Sequence, residues 1–398
     1  MPLQTLPCRA FQRGFALGAR PLPWRTPTVL SGAGSLLKLP DVFSREGASR
    51  PLVVASRRQC ADERFLALRA ALEGRGVRPS VFSGVEPDPS VATVEKLAAQ
   101  YRADGCDSFL VLGGGSPIDA AKVAAARVVR PDKTVAQLGG LLKVRRPLPL
   151  FIAVPTTAGT GSEATIAAVV TGEEHRKYAV SDLCLIPRYA VLDPTLTLSL
   201  PPAVTAQTGM DALTHAVEAY LSLYYNTRET RALAESAVRD IFRYLPVACR
   251  DGQSLTARER MLRASFDAGC AFTRASVGNV HAIAHTLGGL YGIPHGLACA
   301  VTLPVVLEDY GAAVHPHLAR LGSLIGLTGT ERERAVGFLA AIRALNASLG
   351  IPDRFDGIRG EDLPRMAAWA AAEANPVYPV PVVYDQARFR RVLERLRA

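Results

Sequence analysis

Histidines and an aspartate recur at helical spacing in the second half of the 398-residue sequence. Asp211 and His215 are four residues apart, His281 and His285 repeat that spacing, and His295 follows in a Pro-His-Gly turn. Side chains four residues apart lie on one face of a helix. A single histidine in such apolar surroundings is commonly a core residue, but a carboxylate with several imidazoles is typical of a site for Fe²⁺ or Zn²⁺. The set therefore predicts one bound divalent ion.

Three consecutive glycines separate a predicted strand from a predicted helix. Gly113, Gly114 and Gly115 permit a tight turn and a close approach of the backbone to a ligand. Ser116 is predicted as the helix N-cap, and Pro117 suits the first helical position. The N–H groups at such a helix start are well suited to a pyrophosphate. Taken alone, these residues could also form only a strand-to-helix turn.

A second loop of similar character follows another predicted strand. Pro155–Glu163 contains two glycines and the hydroxyls of Thr156, Thr157, Thr160 and Ser162. Nucleotides bind at the carboxyl ends of parallel strands, where hydroxyls and bare amides can contact phosphate. One such loop is common, but two in one sheet indicate a nucleotide-binding domain.

The pattern of the chain changes near residue 200. Before it, apolar runs that predict buried strands alternate with helical stretches, at Leu52–Ala55, Val81–Ser83, Phe109–Leu112, Phe151–Val154 and Tyr189–Asp193. Parallel strands need helical crossovers, so this alternation predicts a mostly parallel α/β sheet. Beyond it the periodicity is helical, as at Thr230–Leu245, Ala257–Cys270 and Arg332–Leu349. We predict an α/β domain over residues 1–200 and an all-α domain over residues 201–398.

Composition excludes several classes of protein. The net charge is +10, but the basic residues are scattered, so we expect phosphate-bearing small ligands and no nucleic-acid partner. Seven widely spaced cysteines without a CxxC pair indicate a reducing compartment, and we predict a cytoplasmic protein. Apolar runs are interrupted before the roughly 18 residues that a membrane span needs, so no membrane association is expected.

The first 26 residues are predicted to form a basic, partly helical arm. No acidic residue precedes Asp41, as in organelle transit peptides, but serine is scarce in this segment. The arm or an edge strand could pair two subunits into a homodimer.

Four motifs in order make the chain resemble the iron-containing (group III) alcohol dehydrogenase family. They are GGGSPIDAAK at Gly113–Lys122, PTTAGTGSE at Pro155–Glu163, GMDALTHAVEAY at Gly209–Tyr220 and HAIAHTLGGLYGIPHG at His281–Gly296. The similarity extends from about residue 27 to beyond the ANPVYPVP segment at 374–381. It implies a dehydroquinate synthase-like architecture, in which a dinucleotide-binding α/β domain and a helical domain bring nicotinamide and metal together in a cleft.

The resemblance also implies roles for individual residues. The metal ligands would be Asp211, His215, His281 and His295, and His285 would be a catalytic histidine beside the nicotinamide and substrate. Matches to cofactor contacts are Gly114, Gly115, Ser116, Thr156, Thr157 and Lys177, with Asp88 near the nucleotide. The predicted cofactor site further includes Ser56, Gly113, Asp119, Thr160 and Ser162.

One departure from the family pattern concerns the cofactor. Relatives that use NAD often carry an aspartate for the adenosine ribose after the strand at residues 52–55, but here Ser56 is followed by Arg57 and Arg58. Guanidinium groups in place of a carboxylate favour a 2′-phosphate. We therefore favour NADP over NAD, although both arginines could merely face solvent.

The expected reaction is hydride transfer between NAD(P)H and a small aldehyde or primary alcohol. The ion, Fe²⁺ with Zn²⁺ as the alternative, would act as a Lewis acid on the substrate oxygen, and His285 would pass a proton to solvent. Two alternatives remain at this point: a dehydroquinate synthase-like lyase, or another polyol-phosphate-type enzyme of that fold, and a nucleotide-binding scaffold without catalysis. The sequence leaves the substrate, short aliphatic or anionic, undetermined.

Overall fold

The computed structural model describes residues 5–172 and 177–398. The chain divides into two compact units. One comprises Pro23–Ser199 and contains all the strands named below, and the other comprises Met1–Leu22 and Leu200–Ala398 and is helical. The longer segment of the helical unit begins at Leu200.

The α/β unit alternates strands and helices along the chain. Its strands are β1 (Thr28–Ser31), β2 (Pro51–Val54), β3 (Ser80–Phe82), β4 (Ser108–Gly113), β5 (Gly140–Leu141), β6 (Leu150–Pro155), β7 (Ala167–Thr171), β8 (Lys177–Ser181) and β9 (Tyr189–Leu192). Its α-helices are α2 (Leu39–Glu46), α3 (Arg57–Cys60), α4 (Glu63–Glu73), α5 (Val91–Ala103), α6 (Gly115–Val129) and α7 (Val135–Leu138).

Six strands form one parallel sheet in the order β1-β9-β6-β4-β2-β3, and β5, β8 and β7 form a smaller sheet. This confirms the predicted α/β fold. In β4, Phe109 and Val111 pack into one hydrophobic cluster and Leu110 and Leu112 into a second. Successive side chains of a strand point to opposite faces, so each face of the sheet has its own core. That is why these strands are apolar throughout rather than alternating.

The two glycine-rich loops leave the sheet side by side. Strand β4 pairs with β6 in register, so that Gly113 lies opposite Pro155, where both strands end. The N–H of Thr156 donates to the carbonyl oxygen of Gly113 at 2.9 Å. Both loops therefore begin at the carboxyl edge of the sheet, as their sequences predict.

The helical unit consists of the amino-terminal helix and nine further α-helices within the described residues. They are α1 (Leu6–Ala19), α8 (Pro202–Leu221), α9 (Arg228–Arg250), α10 (Leu255–Ala275), α11 (Asn279–Tyr291), α12 (His295–Tyr310), α13 (His315–Leu324), α14 (Glu331–Ser348), α15 (Leu363–Ala374) and α16 (Gln386–Arg395). The three periodic stretches predicted as helices correspond to α9, α10 and α14. Helix α8 is buried almost throughout its second half, which accounts for its small and apolar residues.

The predicted amino-terminal arm contains α1 (Leu6–Ala19), which groups with the carboxy-terminal unit, and its residues 1–4 lie outside the described residues. It was expected to belong to the α/β domain, but α1 lies in the helical unit because Arg9 and Gln12 are buried there. These side chains hydrogen-bond to carbonyl groups in the segment 376–381, more than 360 residues away.

One segment of the described chain is long and apolar enough to cross a membrane by length and composition. It spans His295–Leu324, and 67% of its most apolar stretch of 18 residues is buried inside the protein. Core helices of globular proteins pass the same test.

Candidate active site

Four side chains in the helical unit converge on one point. Asp211 and His215 lie on α8, His281 on α11, and His295 is the first residue of α12. Each offers one ligand atom, and the four atoms lie within 4.8 Å of one another. From Asp211 Oδ1, the nearest nitrogens of His215, His281 and His295 are 3.9, 3.9 and 3.4 Å away. The structure thus brings together the four residues predicted as ligands.

The spacing and environment of these atoms fit a divalent ion. Ligands at about 2.1 Å from a tetrahedral ion lie about 3.4 Å from each other, close to the observed separations. Asp211 Oδ1 and His281 Nε2 are buried and have no hydrogen-bond partner within residues 5–172 and 177–398. A buried polar atom without a partner is costly. One carboxylate and three imidazoles form a donor set that suits Fe²⁺ or Zn²⁺.

Burial shifts the pKa values of this cluster toward neutral forms. Desolvation raises the pKa of Asp211 to about 7 and that of Glu218 to about 7, and it lowers the pKa of His281 to about 3. A nearby cation favours the ionised carboxylate, because opposite charges stabilise each other. A divalent ion at the centre of the cluster would therefore favour the ionised form of Asp211.

Glu218 is a site residue that the sequence analysis missed. Its Oε2 lies 2.5 Å from His281 Nδ1, and its carboxylate accepts the N–H groups of Gly278 and Val280. A carboxylate on Nδ1 selects the tautomer whose Nε2 can bind a metal. Glu218 lies seven residues after Asp211 on α8, and therefore on the same helix face. An acidic residue at this spacing in an apolar helix could have identified it from the sequence.

Aromatic packing fixes the orientation of His215. Its ring stacks on Phe272 at 4.2 Å between centroids and on His281 at 4.4 Å. Rings confined on both faces have little rotational freedom.

His285 lies beside the cluster but is not one of its four members. Its ring is 5.3 Å from that of His295 and 6.1 Å from that of His281, and its Nδ1 lies 2.7 Å from Glu373 Oε1. The side chain of His285 is 18% exposed, against 3% for His281. This imidazole is therefore more open to proton exchange than His281, and its catalytic role stays a prediction.

In the α/β unit, the first glycine-rich loop is packed too closely for side chains. A Cβ at Gly113 would lie 2.6 Å from the ring of Pro117, and one at Gly115 would lie 2.8 Å from Thr160 Cγ2. The predicted N-cap at Ser116 is wrong, since α6 begins at Gly115 and Gly114 is its N-cap. Gly114 has the extended backbone of an N-cap, so the helix begins at Gly115, two residues before the predicted start at Pro117.

Several predicted cofactor residues are linked to these loops. Ser116 Oγ accepts the N–H of Asp88 at 3.3 Å, and the Asp88 carboxylate pairs with Lys177 at 2.7 Å. Thr156 Oγ1 accepts a hydrogen bond from Gln59 Nε2. The side-chain oxygen of Gln59 in turn accepts the N–H of Ser56, the N-cap of α3. These contacts lie around the carboxyl ends of β2, β4 and β6.

Asp119 and Ser162 bind each other in the structure. Ser162 Oγ donates to Asp119 Oδ1, and Asp119 Oδ2 accepts the N–H of Val169 at 2.8 Å. Both side chains therefore connect α6 to the second loop. Their role as cofactor contacts stays a prediction.

Lys122 is a second residue that the sequence analysis missed. It is fully buried, and its Nζ donates to the carbonyl oxygens of Ser162, Thr165 and Ala167 at 2.6, 2.8 and 3.1 Å. A lysine among alanines in a buried helix was the signal. Lys122 and Asp119 of α6 thus hydrogen-bond to four residues in or just after the second loop: Ser162, Thr165, Ala167 and Val169.

Comparison with known proteins agrees with this arrangement. The chain matches the sequence model "Iron-containing alcohol dehydrogenase" over residues 26–194 and the model "Fe-containing alcohol dehydrogenase family, C-terminal" over residues 205–395. The 1,3-propanediol dehydrogenase of Klebsiella pneumoniae is 41% identical over 312 residues, which cover 76% of this chain and 80% of the relative. The probable alcohol dehydrogenase EutG of Escherichia coli (strain K12) is 36% identical over 352 residues and 88% of each chain.

A solved structure shows the same similarity. The alcohol dehydrogenase from Oenococcus oeni matches with a TM-score of 0.89 at 32% identity, over 94% of this chain and 99% of that one. The fold and these matches identify an oxidoreductase of a metal-containing class, and the Asp–His cluster is its candidate metal site. The chain belongs to the iron-containing alcohol dehydrogenase family, and its reaction class is that of an alcohol dehydrogenase acting on a small alcohol.

Proposed function

We propose that this protein is an Fe²⁺-dependent, NADP-preferring alcohol dehydrogenase that interconverts short aliphatic aldehydes and primary alcohols. The observation that carries the proposal is the cluster of Asp211, His215, His281 and His295, whose ligand atoms lie within 4.8 Å of one another. Zn²⁺ is the alternative ion, because the same nitrogen and oxygen donors suit both metals.

The residues of the helical unit would share the work of catalysis. A bound ion would supply Lewis acidity toward the substrate oxygen. Asp211, His215, His281 and His295 would hold that ion, and Glu218 keeps His281 in the tautomer that this requires. His285 would exchange the hydroxyl proton with solvent, since an imidazole titrates near neutral pH.

The residues of the α/β unit would bind the dinucleotide. The glycines at 113–115 leave room for a pyrophosphate at the start of α6, where a helix N-terminus attracts negative charge. Thr156, Thr157 and Thr160 line the neighbouring loop and would add hydroxyl donors. The Lys177–Asp88 pair beside Ser116 would complete this site.

The preference for NADP is supported by the exposed end of β2. Ser56, Arg57 and Arg58 are exposed there, and Ser56 Oγ accepts the N–H of Gln59 as the cap of α3. No carboxylate stands at this position to repel a 2′-phosphate, and two guanidinium groups are within the same turn. The alternative is NAD, with both arginines facing solvent only.

Other features support a soluble protein of the cytoplasm acting on small molecules. No disulfide joins any of the cysteines within the described residues, and cysteines are kept reduced in the cytoplasm. The short aliphatic substrate is favoured because relatives such as 1,3-propanediol dehydrogenase are named for small diols or alcohols. We expect neither a nucleic-acid nor a membrane partner, and a homodimer is the expected assembly.

The test is a spectrophotometric screen of aldehydes with NADH and NADPH after reconstitution with Fe²⁺ or Zn²⁺ without oxygen. We expect oxidation of NADPH with a short aldehyde, loss of activity on chelation, and loss in His281→Ala. His315→Ala serves as the control, because His315 lies outside the cluster at the start of α13. A chain that holds one equivalent of metal but neither oxidises NADH or NADPH with any aldehyde nor reduces NAD⁺ or NADP⁺ with any alcohol would refute the proposal.

A further inference from the structure

Glu373 lies at the end of a helix where a negative charge is unfavourable. It lies in the last turn of α15, where the helix dipole disfavours negative charge. Its Oε1 lies 2.7 Å from Nδ1 of His285, and both side chains are largely shielded from solvent. Residues that oppose a local structural preference are frequently functional.

A tyrosine orients the same carboxylate oxygen. The hydroxyl of Tyr378 donates to Glu373 Oε1 at 2.8 Å. Burial raises the pKa of Tyr378 well above its ordinary value, so the hydroxyl remains a donor throughout the physiological range. One oxygen atom therefore joins Tyr378 to His285.

The amino-terminal helix in turn holds the segment that carries Tyr378. Residues 376–381 form no helix or strand, yet each of their six carbonyl oxygens accepts a hydrogen bond. Gln12 donates to those of Pro376 and Tyr378, and Arg9 donates to those of Val380 and Pro381. The remaining two accept from the Tyr225 hydroxyl and the Leu223 N–H. Four of the six bonds thus come from α1.

We propose that Glu373 is a positioning residue for His285, and that Tyr378 and α1 hold Glu373 in place. A carboxylate facing Nδ1 selects the Nδ1–H tautomer and fixes the ring, so that Nε2 is the nitrogen that takes up or releases the proton. The inference rests on the role in proton transfer proposed for His285. It adds that a helix at the far amino terminus supports this histidine.

Steady-state kinetics of the reconstituted enzyme provide the first test. We expect Glu373→Ala to lower kcat about ten- to hundredfold, the range for carboxylates that orient functional histidines, with KM for aldehyde and cofactor nearly unchanged. Glu373→Gln keeps an acceptor for Nδ1–H and should recover most of kcat, and Tyr378→Phe should lower kcat severalfold. Metal content should equal that of the wild type.

Tyr291→Phe and Glu361→Ala are matched controls. Tyr291 also donates its hydroxyl to a carboxylate, that of Asp362, at 2.6 Å, and Glu361 is an exposed acid just before α15. Both controls should leave kcat unchanged. Equal losses of kcat, metal and cofactor affinity in Glu373→Ala, or a Glu373→Gln variant as impaired as Glu373→Ala, would overturn the positioning role.

A measurement that does not depend on catalytic activity, the tautomer of His285, tests this inference separately from the proposed function. Nitrogen-15 NMR of histidine-labelled protein above pH 8 reports the tautomer of each neutral ring, and His285→Asn assigns the signal. We expect Nδ1–H in the wild type and in Glu373→Gln, and a shift toward Nε2–H in Glu373→Ala. An unchanged tautomer overturns the inference even if the enzyme is active. An inactive wild type with the expected tautomers refutes only the proposed function.

The contribution of α1 is tested with Gln12→Ala, which removes the donors to Pro376 and Tyr378. We expect kcat to fall severalfold in the wild-type background and not at all in the Glu373→Ala background, because the helix acts through Glu373. Arg13→Ala, on the same helix, is the control. An equal fall in both backgrounds would show that α1 acts on the fold in general and would overturn its place in this relay.

Discussion

His281 joins Glu218 to the predicted metal cluster through opposite nitrogens of one ring. Nδ1 lies 2.5 Å from Glu218 Oε2, and Nε2 lies 3.9 Å from Asp211 Oδ1. The approach requires glycine at 278, since a Cβ there would lie 2.7 Å from Glu218 Oε1. A buried ring held in this way can present only one nitrogen to an ion, and its orientation is set before the ion binds.

Removal of the Glu218 carboxylate should therefore weaken metal binding. We expect Glu218→Gln to lower the affinity for Fe²⁺ or Zn²⁺ about ten- to hundredfold, because both oxygens of Glu218 face N–H groups and an amide NH₂ in place of either oxygen would set a donor against a donor. Competition with a chelator, followed by metal analysis after gel filtration, measures this. Glu229→Gln, an exposed acid at the start of α9, is the control and should bind as the wild type does. Equal affinities of Glu218→Gln and wild type would contradict the prediction.

Metal binding should also stabilise the helical unit. An ion that binds only the folded state at about 100 times its Kd contributes about 2.7 kcal/mol. At about 2–4 °C per kcal/mol for a unit of this size, Tm should rise by roughly 5–10 °C between the chelated and the reconstituted protein. Differential scanning calorimetry measures the shift. It should vanish in Asp211→Asn, and a shift of the same size in that variant would place the ion elsewhere.

The sequence predicted the parts of the protein that depend on local pattern. The strands were recognisable because both faces of the sheet are covered, which makes each strand apolar throughout. The metal cluster was recognisable because Asp211 and His215 follow helical spacing and all four of its residues lie within the family motifs. Glu218 was missed although it lies on the same helix as Asp211, because its partner His281 is 63 residues away and only the fold brings them together.

Most of the other features that the sequence did not predict depend on contacts between segments far apart in the chain. The bonds from α1 to residues 376–381 join residues separated by 364 to 372 positions, and no periodicity in either segment indicates them. Lys122 could have been noticed as a lone charge in a run of alanines, but its acceptors lie some 40 residues further along the chain. The helix start at Gly115 was misplaced because glycine can serve as an N-cap as well as serine.

Glu163 should make stability depend on pH. It is 1% exposed, and burial raises its pKa to about 7 from 4.5. Between these values the folded state keeps a proton that the unfolded state has lost, so the stabilisation present below about pH 4.5 is lost as pH rises through about 7. The full effect is about 3 kcal/mol at most.

Glu163→Gln removes this titration while keeping the shape of the side chain. We expect the difference in free energy of unfolding between Glu163→Gln and the wild type to grow in favour of the variant from pH 4.5 to 7. Urea titrations at half-unit pH intervals measure it, and the other buried acids cancel because both proteins share them. Glu63→Gln, an exposed acid in α4, should show a constant difference. A constant difference for Glu163→Gln as well would mean that the carboxyl is ionised in the fold.

The end of β2 should determine the choice of dinucleotide. If Arg57 and Arg58 contact a 2′-phosphate, the wild type should have a higher kcat/KM with NADPH than with NADH, because two charge-assisted contacts are lost with NADH. The triple variant Ser56→Asp, Arg57→Ser, Arg58→Ser should reverse the preference, since a carboxylate binds the ribose hydroxyls and repels the phosphate. A change of about 10- to 100-fold in the NADPH/NADH ratio, carried mostly by KM, is expected. Arg75→Ala removes an exposed arginine after α4 and should leave the ratio unchanged. A ratio that is the same in the triple variant and in the wild type would mean that both arginines only face solvent and that neither selects the cofactor.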